Sequence, residues 1–118
     1  MLKQVVGKLG EDLAVDFLQA AGYKILERNL RLSHYEIDIV ASKEGQIILI
    51  EVKTKSTQNP LWQAEDLISP RKYQNLLKAA TLYSQRYKVS SFRLKLELIT
   101  VTVDRENKAN IKHYIDII

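Results

Sequence analysis

The sequence predicts an α/β protein with a mixed central sheet flanked by helices. Three observations carry that expectation. Apolar residues recur at helical spacing in two separated segments. Three runs rich in Ile, Val and Leu follow one another between those segments, and two more follow the second. The resulting order is α-β-β-β-α-β-β, which a layered sheet with helices accommodates. No repeat, low-complexity tract or Pro/Gly-rich linker interrupts the 118 residues, so residues 1–118 are expected to form a single domain able to bury its own core.

From about Val5 to Ala21, apolar residues fall at Leu9, Leu13, Phe17 and Ala20, and again at Ala14, Leu18 and Ala21. Gly22 supplies a C-terminal stop. Tyr23 to Leu32 reads as a first strand bent around Asn29. Glu36 to Ala41 and Ile47 to Thr54 read as two strands joined by the turn SKEGQ. Ser56 to Ile68 reads as a polar loop holding Pro60 and Trp62, the latter a candidate for stacking on a base or sealing a dimer contact. Ser69 and Pro70 then open a second helix, serine as cap and proline in the first turn. Its apolar stripe is Tyr73, Leu76, Leu77, Ala80 and Tyr83. Phe92 to Val103 reads as a long alternating strand, and Ile111 to Ile117 as a last one.

Composition removes several classes of chemistry. The absence of cysteine excludes disulfides, thiolate metal sites and cysteine nucleophiles. No apolar run approaches the roughly 18 residues that span a bilayer, and the N-terminal MLKQVVGKLGEDLA acquires acids too early for a signal peptide. A cytoplasmic protein without membrane contact is expected. The net charge of +4 would help hold a polyanion.

The acids of the two central strands are the chemical signal. Side chains alternate along a strand, so Glu36 and Asp38 share one face, and Glu51 and Lys53 share one. A two-residue loop at Glu44-Gly45 would pair Lys43 with Gln46, and the register then sets Asp38 opposite Glu51. Opposed Cβ atoms lie about 5 Å apart, and facing like charges destabilise a sheet unless something lies between them. Mg²⁺ is commonly held by one or two carboxylates plus waters and a phosphate. The Val52 carbonyl offers one more oxygen. Lys53 is suited to orienting a water or balancing charge on a phosphate. On the first helix, Glu11 borders the apolar arc beside Leu18 and is the acid most able to lean toward the sheet, whereas Asp12 and Asp16 face solvent. The bland alternative is a solvated face with cross-strand ion pairs, in which Glu36 would partner Lys53.

The pattern D-x12-E-x-K, formed by Asp38, Glu51 and Lys53 after a helical Glu11, resembles the PD-(D/E)xK nuclease core of restriction endonucleases and Holliday-junction resolvases. The stretches GKLGEDLAVDFLQAAGYKILERNLRL, EIDIVA, ILIEVKTKS and SPRKYQNLLKAATLY are similar to the YraN-like family of small bacterial proteins regarded as endonucleases, over nearly the whole chain. Two positions depart from the pattern: Tyr35 stands where glycine is usual, and Ile37 where the motif has its proline. The resemblance implies a restriction endonuclease-like fold and metal-dependent DNA endonuclease activity with Mg²⁺ or Mn²⁺, in repair or recombination, on branched or damaged DNA. It implies Asp38, Glu51, Val52 and Glu11 around the metal, and Lys53 as the residue that activates water. Lys55, Arg71, Lys72 and Arg31, with Arg28, are candidates for gripping phosphates. A homodimer accords with the resolvase-like relatives. The rival expectation is a nucleic-acid-binding or repair-scaffold protein that keeps the fold and cleaves little.

Overall fold

The computed structural model describes residues 3–56, 68–106, 108–115 and 117. In chain order these form α1 (Lys3–Ala20), β1 (Lys24–Leu32), β2 (Tyr35–Lys43), β3 (Gln46–Ser56), α2 (Pro70–Tyr87), a 3₁₀ turn (Ser91–Arg93), β4 (Leu94–Val103) and β5 (Ala109–Tyr114). The order is the expected one. The 3₁₀ turn takes the first two residues of the run expected to be strand from Phe92. Pro60 and Trp62 lie outside the described residues.

The strands make one sheet in the order β1-β2-β3-β4-β5. Among the described strands only β3 and β4 run parallel, and a parallel pair needs a long crossover, which is where α2 lies. Two local signals prepare the helices and turns. Ser69 caps α2, its Oγ accepting from the Lys72 N–H at 3.1 Å. Glu44 and Gly45 both adopt left-handed backbone, at φ 51° and 78°, the geometry of a tight hairpin turn. Their turn sets the register Lys43↔Gln46 through Ile39↔Ile50, as the sequence predicts and without a slip.

Among the described residues, α1 covers one face of the sheet and α2 the other. Ala14 and Leu18 of α1 pack on Ile39, Ile50, Ile99 and Val101. Leu76, Ala80 and Tyr83 of α2 pack on Val40, Leu49 and Leu96. Between two covered faces, β4 is buried nearly throughout rather than alternating in and out as the sequence suggests. Glu97 is thereby taken into the α1 side, only 4% exposed. Its Oε1 accepts from the Tyr23 hydroxyl at 2.9 Å and lies 2.7 Å from His113 Nε2 on β5. Burial, then the hydrogen bond to Glu97, raises the Tyr23 phenol above its ordinary pKa.

This cluster ties the α1–β1 connection, β4 and β5 together. Glu97→Ala strands the Tyr23 hydroxyl and the His113 ring nitrogen, and an unsatisfied buried polar group costs about 1–3 kcal/mol. We expect a loss of about 2 kcal/mol in urea unfolding, with Glu97→Gln recovering part of it because an acceptor oxygen remains. No helix among the described residues is long and apolar enough to cross a membrane.

Candidate functional site

The hydrogen-bonded ladder between β2 and β3 stops at Ile39↔Ile50. Asp38 and Glu51 are the next residues on the two strands, one step beyond the last paired position. Where the ladder stops, the Asp38 carboxylate takes over: its Oδ2 accepts from the Val52 N–H at 2.8 Å. A side chain thus satisfies a main-chain donor that the neighbouring strand leaves, and the bond ties the Asp38 carboxyl to the backbone beside Glu51.

Glu51 is buried and held from above by α2, with Lys72 Nζ 2.7 Å from its Oε1. The cap that starts α2 at Ser69 sets Lys72 in the first turn, so one residue both receives the cap through its N–H and reaches the acid with its side chain. Burial, and then the charge of Glu51, push the Asp38 carboxyl up to about 7; the Val52 N–H and Lys72 act against that rise, and Glu11 adds to it. The hydrogen bond to Glu51 raises the Lys72 ammonium above its ordinary pKa, with Asp38 and Glu36 contributing. The arrangement is a carboxylate pair sharing a half-dry site, in which the second negative charge is costly near neutral pH.

Glu11 leans toward the sheet, as the helical phase predicts. Its Oε1 accepts from Arg28 Nε at 3.2 Å and Asn29 Nδ2 at 3.0 Å. Asn29 stands at φ 53° within β1, the bend that the sequence suggests. Arg28 also reaches Asp12 at 2.6 Å, so it is committed to two acids of α1 rather than turned to a phosphate in this state. Asp12, expected to face solvent, is one of those partners.

The remaining candidates sit around this centre. Lys53 and Lys55 continue β3 beyond Glu51, half-buried, at the register positions of Thr100 and Thr102. Val52, between Glu51 and Lys53, packs partly on the α1 side. Arg71 is exposed in the first turn of α2. Arg31 pairs with Glu36 across the β1–β2 ladder at 3.8 Å, an exposed contact worth little. Lys72, expected at a phosphate, is the ion-pair partner of Glu51.

Sequence reasoning missed two supports. The first is the Lys72–Glu51 pair, which depends on how α2 docks. The second is Gly10, where an added Cβ would collide with the Thr54 side chain of β3. A glycine four residues before Ala14 and eight before Leu18, on the buried stripe, was the available signal for close approach.

Among the described residues, no three His, Asp or Glu side chains converge as a ready-made metal cage. Two carboxylates remain an adequate protein share for Mg²⁺, which keeps several waters and takes substrate oxygens. Asp38 and Glu51 supply hard oxygen donors whose mutual repulsion a cation would relieve, so the donor chemistry fits.

Fold and site together define an α/β protein with an acidic pair, bridged to a helix lysine, where a hairpin ladder ends. The chain belongs to the uncharacterised protein family UPF0102, whose family model matches residues 10–118. It is 36% identical over 109 residues to a UPF0102 protein of Bacteroides fragilis, covering 92% of this chain and 88% of that one. It is 34% identical over 115 residues to a UPF0102 protein of Syntrophomonas wolfei, covering 98% of both. A UPF0102 protein of Persephonella marina is 32% identical over 117 residues, covering 99% of this chain and 98% of that one.

Proposed function

We propose that this protein is a metal-dependent DNA endonuclease with a restriction endonuclease-like fold. The observation that carries the reading is the Asp38–Glu51 pair, brought together at the end of the β2–β3 ladder with Asp38 pushed up to about 7. Burying like charges side by side destabilises a protein, and such a cost is characteristic of functional sites. Asp38 and Glu51 would hold Mg²⁺ or Mn²⁺, with the Val52 carbonyl and Glu11 in support. The bound ion would supply Lewis-acid polarisation of a phosphate oxygen and a more acidic water.

The chain's own residues do the rest. Lys53, two residues past Glu51 on the same strand, orients the attacking water and balances charge growing on the phosphate. Water adds to phosphorus, one ester P–O bond breaks, and the leaving oxygen takes a proton to end as a hydroxyl. Lys72 pairs with Glu51 at 2.7 Å and fixes where its carboxylate sits. Lys55, Arg71 and Arg31 supply cationic charge for the backbone of the bound strand. A net charge of +4 favours association with a polyanion. Branched or damaged DNA, a role in repair or recombination, a cytoplasmic setting and a homodimer belong to the same reading.

One observation favours a second reading. Lys72 already neutralises Glu51, and a site content with its lysine would suit a repair scaffold that binds DNA and cleaves little. Calorimetric titration of Mn²⁺ and Mg²⁺, followed by nicking assays on branched, single-stranded and duplex DNA, separates the two. The nuclease reading expects uptake by the wild type and at least about 1,000-fold slower nicking after Asp38→Asn/Glu51→Gln, the scale on which loss of charge stabilisation acts. Wild-type protein that binds DNA without taking up metal or nicking it leaves the scaffold.

A further inference from the structure

The β1–β2 hairpin ends in an aromatic lip beside the acidic pair. Leu32 pairs with Tyr35, leaving Ser33 and His34 as a two-residue turn with Ser33 at φ 58°. The His34 imidazole lies against the Tyr35 ring with centroids 4.1 Å apart and planes tilted by 38°. Ser33 Oγ sits 3.2 Å from His34 Nδ1 and orients the imidazole. Tyr35 is half-buried against the α2-side core, whereas His34 is exposed. The stack therefore has a base anchored in the fold and an upper ring at the surface.

Both rings line a pocket of about 160 Å³ that also contains Glu36, Glu51, Lys72 and Asn75. A cavity of about 150 Å³ is enough for one six-membered ring, a pyrimidine or the six-membered portion of a purine whose second ring stays at the open mouth. Glu36 disfavours a phosphate at its end of the pocket, and a carboxylate accepts readily from the exocyclic amino groups of bases. The Asn75 amide offers a donor and an acceptor to a base edge, and Lys72 a donor. An aromatic platform with such an edge suits a nucleobase better than a sugar-phosphate backbone, because every base presents a π face for stacking.

We propose that His34 and Tyr35 stack an unpaired nucleobase, with Asn75 facing its edge, so that the ligand of this site is a nucleic-acid strand carrying an unpaired base next to the acidic pair. This rests on the reading of Asp38 and Glu51 as a DNA-cleaving centre and adds which DNA that centre receives. A base inside a regular duplex is stacked on both sides and does not enter such a pocket without being extruded.

The test uses the full chain in EDTA, so that binding is measured apart from cleavage. Two duplex probes of equal length carry 2-aminopurine, in one unpaired opposite a gap and in the other paired throughout. The wild type is expected to bind the unpaired probe about tenfold more tightly and to quench its fluorescence, as stacking of one base allows. His34→Ala brings the ratio close to one and abolishes the quench, whereas His34→Phe retains both. Equal binding of the two probes by the wild type overturns the proposal, as does a ratio that His34→Ala and Tyr35→Leu both leave unchanged. A parallel nicking assay with Mn²⁺ keeps the two ideas apart. Preference for the unpaired probe without nicking defeats the nuclease reading and leaves the base site standing. Nicking without that preference does the reverse.

Discussion

Asp38→Asn is expected to make the metal-free protein more stable at neutral and alkaline pH while removing its capacity for metal. The Asp38 carboxyl is pushed up to about 7 in the folded protein by burial and by Glu51, against an ordinary value near 3.8. A group with a raised pKa contributes its stability below the unfolded value and loses it as pH climbs through the folded one. The wild type and the variant should therefore melt alike below about pH 4, where Asp38 is protonated in both folded and unfolded chains. They should separate progressively toward about pH 7 and differ most above it. Each pKa unit is worth about 1.4 kcal/mol, which caps the gain near about 4 kcal/mol; water reaching the half-buried carboxyl reduces it, and we expect about 2 kcal/mol. Asparagine keeps an oxygen for the Val52 N–H, so the local hydrogen bond survives. Thermal melts across that pH range check the sign directly. Saturating Mn²⁺ should raise the wild-type midpoint and leave the variant unmoved, because only a state that binds the ion gains from it. A variant less stable than the wild type above about pH 7 would mean that Asp38 is a stabilising group.

Gly10→Val should be strongly destabilising although it replaces a helix glycine. Helix propensity alone would favour replacing a mid-helix glycine by alanine by about 1 kcal/mol. The contact with Thr54 reverses that preference, since a Cβ on Gly10 runs into the Thr54 Oγ1, Cβ and Cγ2 atoms. Thr54 is β-branched and cannot turn aside freely. Relief requires α1 to lift from β3, which opens the packing of Ala14 and Leu18 and withdraws Glu11 from the site. Overpacking costs typically 1–3 kcal/mol, and we place Gly10→Val near about 3 kcal/mol and Gly10→Ala near about 1 kcal/mol. The double variant Gly10→Ala/Thr54→Gly should recover most of the packing loss of its first member. Urea unfolding of the four species in that cycle measures the coupling, and additive losses would exclude the contact as the cause.

The β2–β3 register as far as Ile39↔Ile50 was legible because it rests on local rules: a Glu44-Gly45 turn admits one tight register, which leaves Asp38 and Glu51 as the next residue on each strand. Alternation was no guide beyond it, since Ile37 packs on the α2 side and Ile39 on the α1 side. Glu11 was legible from helical phase alone. What the sequence hid depends on docking. Nothing in the run PRKYQNLL says that Lys72 will meet Glu51 rather than a phosphate, because the contact follows from the angle at which α2 crosses the sheet. Glu97 and His113 were hidden for another reason. LKLELITVTV alternates as if one face were wet, and only the covering of both faces turns Glu97 into a buried acid with two partners. Arg28 looked like an exposed cation until the bend at Asn29 set both residues against α1.

The parallel pairing of β3 with β4 carries a consequence for the order in which the molecule comes together. The β1–β2 and β2–β3 hairpins close through two-residue turns, and hairpins form within microseconds. The β3–β4 pair is non-local and waits on a long chain excursion that includes α2. Asp38 and Glu51 are therefore neighbours on the young sheet before Lys72 arrives to answer them. Repulsion precedes the arrival of the helix lysine along the folding path, and a nascent chain that has not yet produced α2 bears the acidic pair without its Lys72 partner.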